Sequence, residues 1–365
     1  MEMVREEGIL IDILSRLPVK SLLRFKCVCK QWRSFISDPD FAKSQLRRSM
    51  EQNPSSCRRL LWLNNPIRSI DCENLSCSSA GTAIRVIKPP SIISDPRSFK
   101  QVGGSCNGLL CLVANFECFI LWNPTTGAYN ELPSPSPCPD TAGRQFFYGF
   151  GYDCSTDDYK LLKGSTPSYG SQSVDTIAEI YSCRTNTWRR MKYDRVPYVT
   201  GRGLFLNGSL HWLVETDLTD NDGMIVSFDV TNEKFGGLVS PLSHDRGVLF
   251  KGLMIAEDCL FVYQGLKTGI NGFTLEGWVL SDYRMKSSWT NICSFLIEEC
   301  RPLRYFWHPV WFRKDGKVLF HLGQEDTTVL IYDPDKGTGD GIKIAKLFLY
   351  NYRDYVESLI SPFPN

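Results

Sequence analysis

The spacing of apolar residues changes once along the chain, and this change divides it into two parts. Through Gly8–Leu46 apolar residues recur every three or four positions, which is the period of an amphipathic helix. Farther along, short runs of alternating apolar and polar residues are separated by turn-forming residues, a pattern typical of β-strands. The pattern predicts a helical module at residues 1–48, a polar linker at 49–57 and a β-rich body at 58–365.

The helical module is expected to contain three helices. Pro18 ends the first, because a proline inside a helix removes a hydrogen bond and clashes with the preceding turn. The apolar face of this helix is Ile9, Leu10, Ile13, Leu14 and Leu17. Ser21 is expected to cap the second helix, and Asp38-Pro39 to begin a short third one. The apolar stripe of the second helix is Leu22, Phe25, Val28, Cys29, Trp32, Phe35 and Ile36.

Charge is unevenly distributed, although the formal net charge of the 365 residues is only +1. Between Arg16 and Arg48 nine basic residues accompany two acidic ones, a local charge of +7 that leaves −6 for the remainder. A basic and apolar surface suits an acidic protein partner. A nucleic-acid patch would need a base-reading element or a high pI over the whole domain, so we expect no nucleic-acid partner.

The segment Ile11–Phe41, IDILSRLPVKSLLRFKCVCKQWRSFISDPDF, resembles a plant F-box almost without gaps. In that family a three-helix box docks on the Skp adaptor of a cullin-RING ubiquitin ligase. The resemblance implies that the following residues line this interface or support it: Leu17, Pro18, Val19, Leu22, Leu23, Val28, Cys29 and Trp32. Arg5-Glu6 stands where the family usually has Leu-Pro, and Gly8 where it has a better helix former, so a weakened first helix is expected.

A loose repeat with aromatic anchors runs through the body. The anchors are Trp122, Tyr181, Phe228, Trp278 and Tyr332, separated by 59, 47, 50 and 54 residues. Turn signals precede several of them, at Asn107-Gly108, Asn207-Gly208, Glu257-Asp258 and Asp315-Gly316. A period of roughly 50 residues with about four strands per unit is typical of a kelch-like β-propeller. We expect the anchors to pack between blades rather than to bind a ligand.

Residues 57–365 number 309, which at roughly 50 per blade corresponds to about six blades. Residues 58–88 are expected to supply an early blade, and residues 355–360 to close the ring. The predicted fold class is therefore mainly β, a kelch-like β-propeller of about six blades preceded by a small three-helix F-box.

Short motifs in the body resemble the plant F-box-associated domain. They are Ser105–Cys111, Trp122–Thr126, Tyr148–Asp153, Asp158–Lys160 and Tyr355–Leu359. Together with the F-box, this resemblance covers nearly the whole chain and includes the S-locus F-box group. It implies that the body holds a protein to be ubiquitinated.

Composition excludes several classes of protein. The apolar runs are shorter than the ~20 residues that a membrane-spanning helix needs, and the charged N-terminus lacks a signal-peptide core, so no membrane partner is expected. The 14 cysteines are scattered, and some lie in apolar strand-like runs, where a free cysteine acts as a small hydrophobe. We therefore expect the reducing environment of the cytosol or nucleus.

For every motif in the sequence, a structural role is a better explanation than a catalytic or metal site. A Cys-x-x-Cys pair is missing and the four histidines are far apart in sequence, so no metal is expected. Gly103–Gly108 lacks the Lys-Ser/Thr of a phosphate-binding loop and is interpreted as a hairpin turn. Asp153, Asp157 and Asp158 are either paired carboxylates or, more simply, a turn. No catalytic residue and no cofactor are assigned.

The leading hypothesis is a non-enzymatic substrate adaptor of a Skp–cullin–F-box ubiquitin ligase, which binds an unidentified protein substrate and directs it to degradation. Substrate recognition is expected on loops of the propeller faces. The longest predicted connections are 134–144, 166–175, 216–223 and 265–272. The alternatives are a propeller lectin or small-ligand sensor with a decayed F-box, and a propeller hydrolase with carboxylates in its central channel.

Overall fold

Helices occupy the beginning of the chain and strands follow them, in the order that the sequence pattern predicts. The computed structural model describes residues 2–52, 57–63, 66–92, 99–114, 117–137, 144–167, 176–191, 199–214, 224–242, 247–256, 258–269, 272–283, 288–297, 307–322, 326–346 and 352–363. The helices are α1 (Glu2–Ser15), α2 (Val19–Phe25), α3 (Lys30–Ser37), α4 (Pro39–Gln52) and the short α5 (Ala80–Ala83). Within these ranges, none of the helices has the length and apolar character needed to cross a bilayer.

The strands of the described ranges form six antiparallel blades, which confirms the predicted propeller and its blade number. Blade 1 contains β1 (Arg58–Trp62), β2 (Arg68–Ile70), β3 (Ile84–Val86) and the last strand of the chain, β25 (Tyr352–Val356). Blade 2 contains β4 (Phe99–Cys106), β5 (Leu109–Ala114), β6 (Cys118–Trp122) and β7 (Tyr129–Glu131). Blade 3 contains β8 (Arg144–Asp153), β9 (Asp158–Pro167), β10 (Ile177–Ser182) and β11 (Thr187–Met191).

The second half of the ring repeats this plan. Blade 4 contains β13 (Leu204–Leu206), β14 (Ser209–Leu213), β15 (Ile225–Asp229) and β16 (Lys234–Leu238). Blade 5 contains β17 (Val248–Ala256), β18 (Cys259–Thr268), β19 (Gly272–Leu280) and β20 (Trp289–Ile297). Blade 6 contains β21 (Trp307–Phe312), β22 (Val318–Leu322), β23 (Asp326–Asp333) and β24 (Thr338–Lys346). A two-residue strand, β12 (Gly201–Arg202), is added to blade 3, parallel to β8.

The helical module differs from the prediction in its second helix, which is split in two. Residues 26–28 form a turn between α2 and α3, and Cys29 caps α3, where its Sγ accepts a hydrogen bond from the backbone N–H of Trp32 at 3.4 Å. Pro18, not Ser21, precedes the first residue of α2, a place where the missing proline N–H costs nothing.

The last helix of the module begins as predicted but is longer. Asp38 Oδ1 accepts a hydrogen bond from the N–H of Phe41 at 2.9 Å, and Pro39 is the first helical residue. Because α4 continues to Gln52, the first four residues of the segment predicted as a linker, 49–57, are helical. The helix α1 also continues through Gly8, although a glycine at that position was expected to weaken it.

The repeat anchors confirm the predicted periodicity. Each of the five lies on the third strand of its blade, where Trp122, Tyr181, Phe228 and Tyr332 are buried and Trp278 is half-buried. Their rings pack against neighbours in the sheets, as in the contact of Phe228 with Phe235 at 4.9 Å between centroids. The spacing of these residues therefore reflects the spacing of the third strands of successive blades.

The predicted turn signals also form hairpins between first and second strands. Asn107 and Asn207 have positive φ angles of 52° and 49°, and the glycines that follow them have 83° and 75°, which only a few residue types adopt without strain. One predicted connection is wrong: residues 265–272 are not a long loop, because β18 continues to Thr268 and β19 begins at Gly272.

The ring is closed by the end of the chain, as predicted, but with a different strand boundary. β25 pairs with β1 in antiparallel register from Arg58↔Val356 to Trp62↔Tyr352. Residues 357–360 form no strand and instead run against blade 2. There the buried amide of Asn123 donates hydrogen bonds to the carbonyl oxygens of Ser358 at 3.1 Å and Ile360 at 2.8 Å.

Gly108 and Gly208 have similar backbone conformations, and comparing them tests how much the contact with the chain end contributes to the free energy of unfolding. A methyl group at Gly108 would meet the carbonyl oxygen of Val356 at 2.5 Å and the side chain of Ser358, whereas one at Gly208 would meet nothing within 4 Å. Both Gly→Ala variants should lose about 1–2 kcal/mol of unfolding free energy because of the positive φ. Gly108→Ala should lose roughly 1–3 kcal/mol more through the steric conflict. Urea unfolding measures both, and equal losses would contradict the proposed role of the closure.

Candidate partner-binding surface of the helical module

The helical module is joined to the propeller by a continuous apolar core. Its buried residues, Leu14, Val19, Leu22, Ile36, Phe41, Ala42 and Leu46, belong to one cluster with residues of blades 2 and 3. Leu359 and Ile360 of the chain end are part of the same cluster. One apolar side of the module is therefore covered by the protein's own propeller rather than left for a partner.

Two ion pairs reinforce this junction. Lys20 Nζ lies 2.6 Å from Glu357 Oε1, and Lys43 Nζ lies 2.6 Å from Asp157 Oδ2. The pair at Glu357 is the more enclosed, since that carboxylate is 8% exposed. Burial raises the pKa of Glu357, which the nearby Arg59 opposes. The pair at Asp157 is solvated and contributes little by itself.

A second apolar side of the module stays exposed. Ile9 and Ile13 are 57% and 53% exposed, and their spacing of four residues places them on one face of α1. Val28, in the turn between α2 and α3, is 59% exposed. Both isoleucines belong to the apolar face predicted for the first helix, but Leu10 and Leu14 of that face are the residues that pack against the core. Two large apolar side chains exposed next to each other on one helix face, as Ile9 and Ile13 are, indicate an interaction surface.

The eight residues assigned by resemblance divide into three groups in the structure. Pro18, Val28 and Cys29 are exposed, and Leu17, Leu23 and Trp32 are half-buried. Val19 and Leu22 are only 3% and 0% exposed. The last two can support a partner-binding surface but cannot touch a partner in this conformation. Contact of the other six with an adaptor stays a prediction.

Trp32 is held in place from within the module. Its ring packs edge to face against Phe25, with the centroids 5.3 Å apart, and its backbone N–H is bound by the Cys29 cap of α3. The turn that breaks the predicted second helix is thus what places Val28 outside and Trp32 beside Phe25.

The basic residues of the module are also divided between two tasks. Arg16 and Arg48 both bind Asp12, at 2.7 and 2.8 Å, while Lys20 and Lys43 bind the propeller, as described above. The remaining basic residues are Arg24, Lys26, Lys30, Arg33 and Arg47. Burial and repulsion from Arg33 lower the pKa of Lys26, so these two cations are neighbours. Lys30 lies three positions before Arg33 on α3, so Lys26, Lys30 and Arg33 form a positive patch close in sequence to the exposed Val28.

The histidines in strands occupy structural positions. His211 is fully buried, and its ring nitrogens contact the carbonyl oxygen of Leu204 at 3.2 Å and the hydroxyl of Tyr283. Burial lowers the pKa of His211 to about 4 and that of His321 to about 4, so both are neutral at physiological pH. Among the residues that the structure describes, no group of three or more His, Cys, Asp and Glu could hold a metal ion.

The acidic group at Asp153 is a turn, as its simpler interpretation predicted. Asp153 accepts hydrogen bonds from Ser155, Thr156 and Thr231, and its carboxylate lies 2.9 Å from Lys160 Nζ. Burial alone would raise the pKa of Asp153, but these partners hold it well below its usual value. The carboxylate thereby ties blade 3 to blade 4.

The predicted recognition loops fall largely outside the described residues. The connection 216–223 lies entirely outside them, as do residues 168–175 of the second loop and 138–143 of the first. The assignment of substrate binding to these loops therefore stays a prediction.

Comparison with known protein families follows the same division of the chain. A family described as "F-box associated beta propeller domain" matches residues 62–361, and the F-box domain family matches residues 7–44. An F-box/kelch-repeat protein of Arabidopsis thaliana is 29% identical over 316 residues, which cover 84% of this chain and 82% of that protein. The F-box protein CPR1 of the same plant is 26% identical over 343 residues, 85% of this chain and 78% of its own length.

Among solved structures, an oligogalacturonate lyase in complex with manganese is similar with a TM-score of 0.42 and 11% identity, over 77% of this chain and 70% of that one. A similarity this low carries no argument about function. The family match, in contrast, covers most of the chain and agrees with its six blades. The chain therefore belongs to the family of plant F-box proteins that carry an F-box-associated β-propeller domain.

Proposed function

We propose that this protein is the substrate-recognition subunit of a Skp–cullin–F-box ubiquitin ligase complex. The observation that carries the proposal is the two-sided F-box. One apolar side is buried against the propeller, while Ile9 and Ile13 on one face of α1, and Val28 in the turn after α2, stay in solvent. In this arrangement the propeller does not cover the exposed side of the F-box, which is the side proposed to bind the adaptor.

The proposed mechanism is proximity. The Skp adaptor and the cullin bring a conjugating enzyme to one end of the complex, and the propeller holds the target protein at the other. Holding the two reactants together raises their effective concentration, so the chain needs no catalytic residue or cofactor of its own. The continuous core and the Lys20–Glu357 pair support this mechanism because they fix the F-box relative to the propeller.

We further propose that the protein acts in the cytosol or nucleus. Cys27 and Cys29 are exposed and form no disulfide. Free exposed thiols persist where glutathione and thioredoxin keep cysteines reduced, and ubiquitin ligases of this class work in those compartments.

A matched pair of isoleucines tests the adaptor surface. Ile13 of α1 and Ile292 of β20 are both 53% exposed, so substitution of either by Glu should leave the fold intact. Ile13→Glu should weaken Skp binding at least about tenfold, because a charge in an apolar interface loses its hydration. Ile292→Glu, on the propeller, should bind Skp like the wild type in a pull-down and by calorimetry.

Equal Skp affinity of the two isoleucine variants would contradict the assigned surface. Leu22 is unsuitable for such a test because it is fully buried. A charge at that position would unfold the module and abolish binding whether or not the interface is assigned correctly.

The positive patch should act on the rate of association. Reversing two charges, with Lys30→Glu and Arg33→Glu together, should slow association with an acidic Skp surface roughly tenfold at low salt, with a smaller effect on dissociation. Surface plasmon resonance at low and high salt measures this. The matched control is Arg184→Glu with Arg189→Glu on exposed positions of the propeller, which should leave the rate unchanged. A change in the dissociation rate with no change in the association rate would contradict this role of the patch.

Recruitment of a target can be separated from adaptor binding in cells. With the proteasome blocked, the wild-type chain should co-purify with a ubiquitinated target and with Skp. The Ile13→Glu variant should retain the same target without its ubiquitin chains, because the propeller is unchanged and the ligase is absent. Loss of the target from this variant, or a target that is still fully ubiquitinated, would contradict the assignment of adaptor binding to the F-box and target binding to the propeller.

A further inference from the structure

A cavity of about 860 Å³ occupies the centre of the propeller. It is lined by the inner strands β12, β17, β21 and β25 and by residues at their ends. Its volume lies within the range of small-molecule sites, ~300–1,000 Å³. The cavity is not used by the adaptor function proposed above, and the inference drawn from it does not depend on that function.

Two arginines from different blades meet at the wall of this cavity. Arg353 of β25 is 8% exposed and donates a hydrogen bond from Nη2 to the carbonyl oxygen of Gly203 at 3.0 Å. Arg202, the residue before that carbonyl, lies with its Cζ 5.9 Å from the centroid of the Tyr352 ring. The ring-closing strand and the short β12 thus bring two guanidinium groups together.

These two cations are not neutralised by the protein. Among the described residues, no carboxylate lies within 4.0 Å of either guanidinium, and the acid that influences both, Asp354, acts from a greater distance. Burial, followed by repulsion from Arg202, lowers the pKa of Arg353 to about 9. A buried, unpaired cation is costly in a folded protein, so an anion between the two groups would relieve both desolvation and repulsion.

The other charges of the cavity wall do not supply that anion. Asp258 binds Arg58. Glu73 is engaged by Trp311 Nε1 at 2.8 Å and by the backbone N–H of Lys314 at 3.3 Å. The lining as a whole has a formal excess of positive charge, since five of its residues are basic and three, Glu73, Asp258 and Asp354, are acidic.

Aromatic side chains complete the wall near the arginines. The rings of Phe250 and His308 lie 5.5 Å apart, Phe250 and Tyr263 lie 6.3 Å apart, and all three line the cavity together with Tyr352. Burial lowers the pKa of His308, so it presents a neutral ring. Such a surface suits the face of a planar or apolar molecule.

We propose that the central cavity binds a small organic anion, with its carboxylate or phosphate group between Arg202 and Arg353 and its ring or apolar body against Phe250, Tyr263 and Tyr352. Planar guanidinium groups match carboxylate and phosphate oxygens with paired hydrogen bonds. Because Arg353 is buried, a small ligand that enters the cavity completely fits better than a peptide segment that remains part of another protein.

The experiment uses the purified full chain and four probes: phenyl phosphate, benzoate, the neutral benzyl alcohol, and a glutamate-rich peptide. Isothermal titration calorimetry should show saturable binding of phenyl phosphate or benzoate and none of benzyl alcohol. Arg202→Gln and Arg353→Gln should each weaken this binding about tenfold or more, the loss of one charge-assisted contact. Arg184→Gln, at an exposed turn, should bind like the wild type.

Thermal unfolding midpoints equal to that of the wild type show that the two glutamine variants remain folded, and this control does not involve the adaptor. No saturable binding of either anionic probe would overturn the proposal, as would equal affinity of the wild type and both cavity variants. Binding of the glutamate-rich peptide alone would overturn it in favour of a protein ligand at the channel mouth.

Discussion

The structure depends above all on the pairing of its last strand with its first. β25 lies on the inner side of β1, and the tail that follows it fills the space between blade 2 and the F-box. The tail contributes Glu357 to the ion pair with Lys20, and its carbonyl oxygens accept hydrogen bonds from Asn123. A propeller without this pairing would have two unpaired sheet edges, and backbone groups left without partners are costly.

Because one segment closes the ring and also supports the helical module, the module and the propeller are mechanically linked. Gly108 allows the backbone at Val356 and Ser358 to approach closely, and Ser358 in turn donates a hydrogen bond to the carbonyl oxygen of Asn107 at 2.8 Å. A hairpin turn of blade 2 is thereby fixed to the chain end, which is fixed to the module. For an adaptor that works by proximity, a rigid connection keeps the two bound proteins at one separation.

The sequence predicted what depends on local chemistry and missed what depends on distant contacts. The turns at Asn107 and Asn207 and the aromatic residues on third strands were predictable, since each follows from residue type and spacing. The orientation of α1 was not, because Ile13 and Leu14 are equally apolar and only packing decides which one is buried. The meeting of Arg202 with Arg353, 151 positions apart in sequence, has no local signal at all.

Residues that do not stabilise the isolated chain point to functional sites. Most of the chain satisfies its polar groups, as Asp153 and His211 do. The exposed Ile9 and Ile13 gain nothing in the isolated chain, and burial together with repulsion from Arg202 destabilises the charged form of Arg353. Local conflicts of this kind in a protein that is otherwise internally consistent occur mainly at functional sites. The apolar face of α1 lies in the helical module and the positive cavity lies in the propeller. The proposals of a protein partner for the first and a small anion for the second are therefore independent of each other.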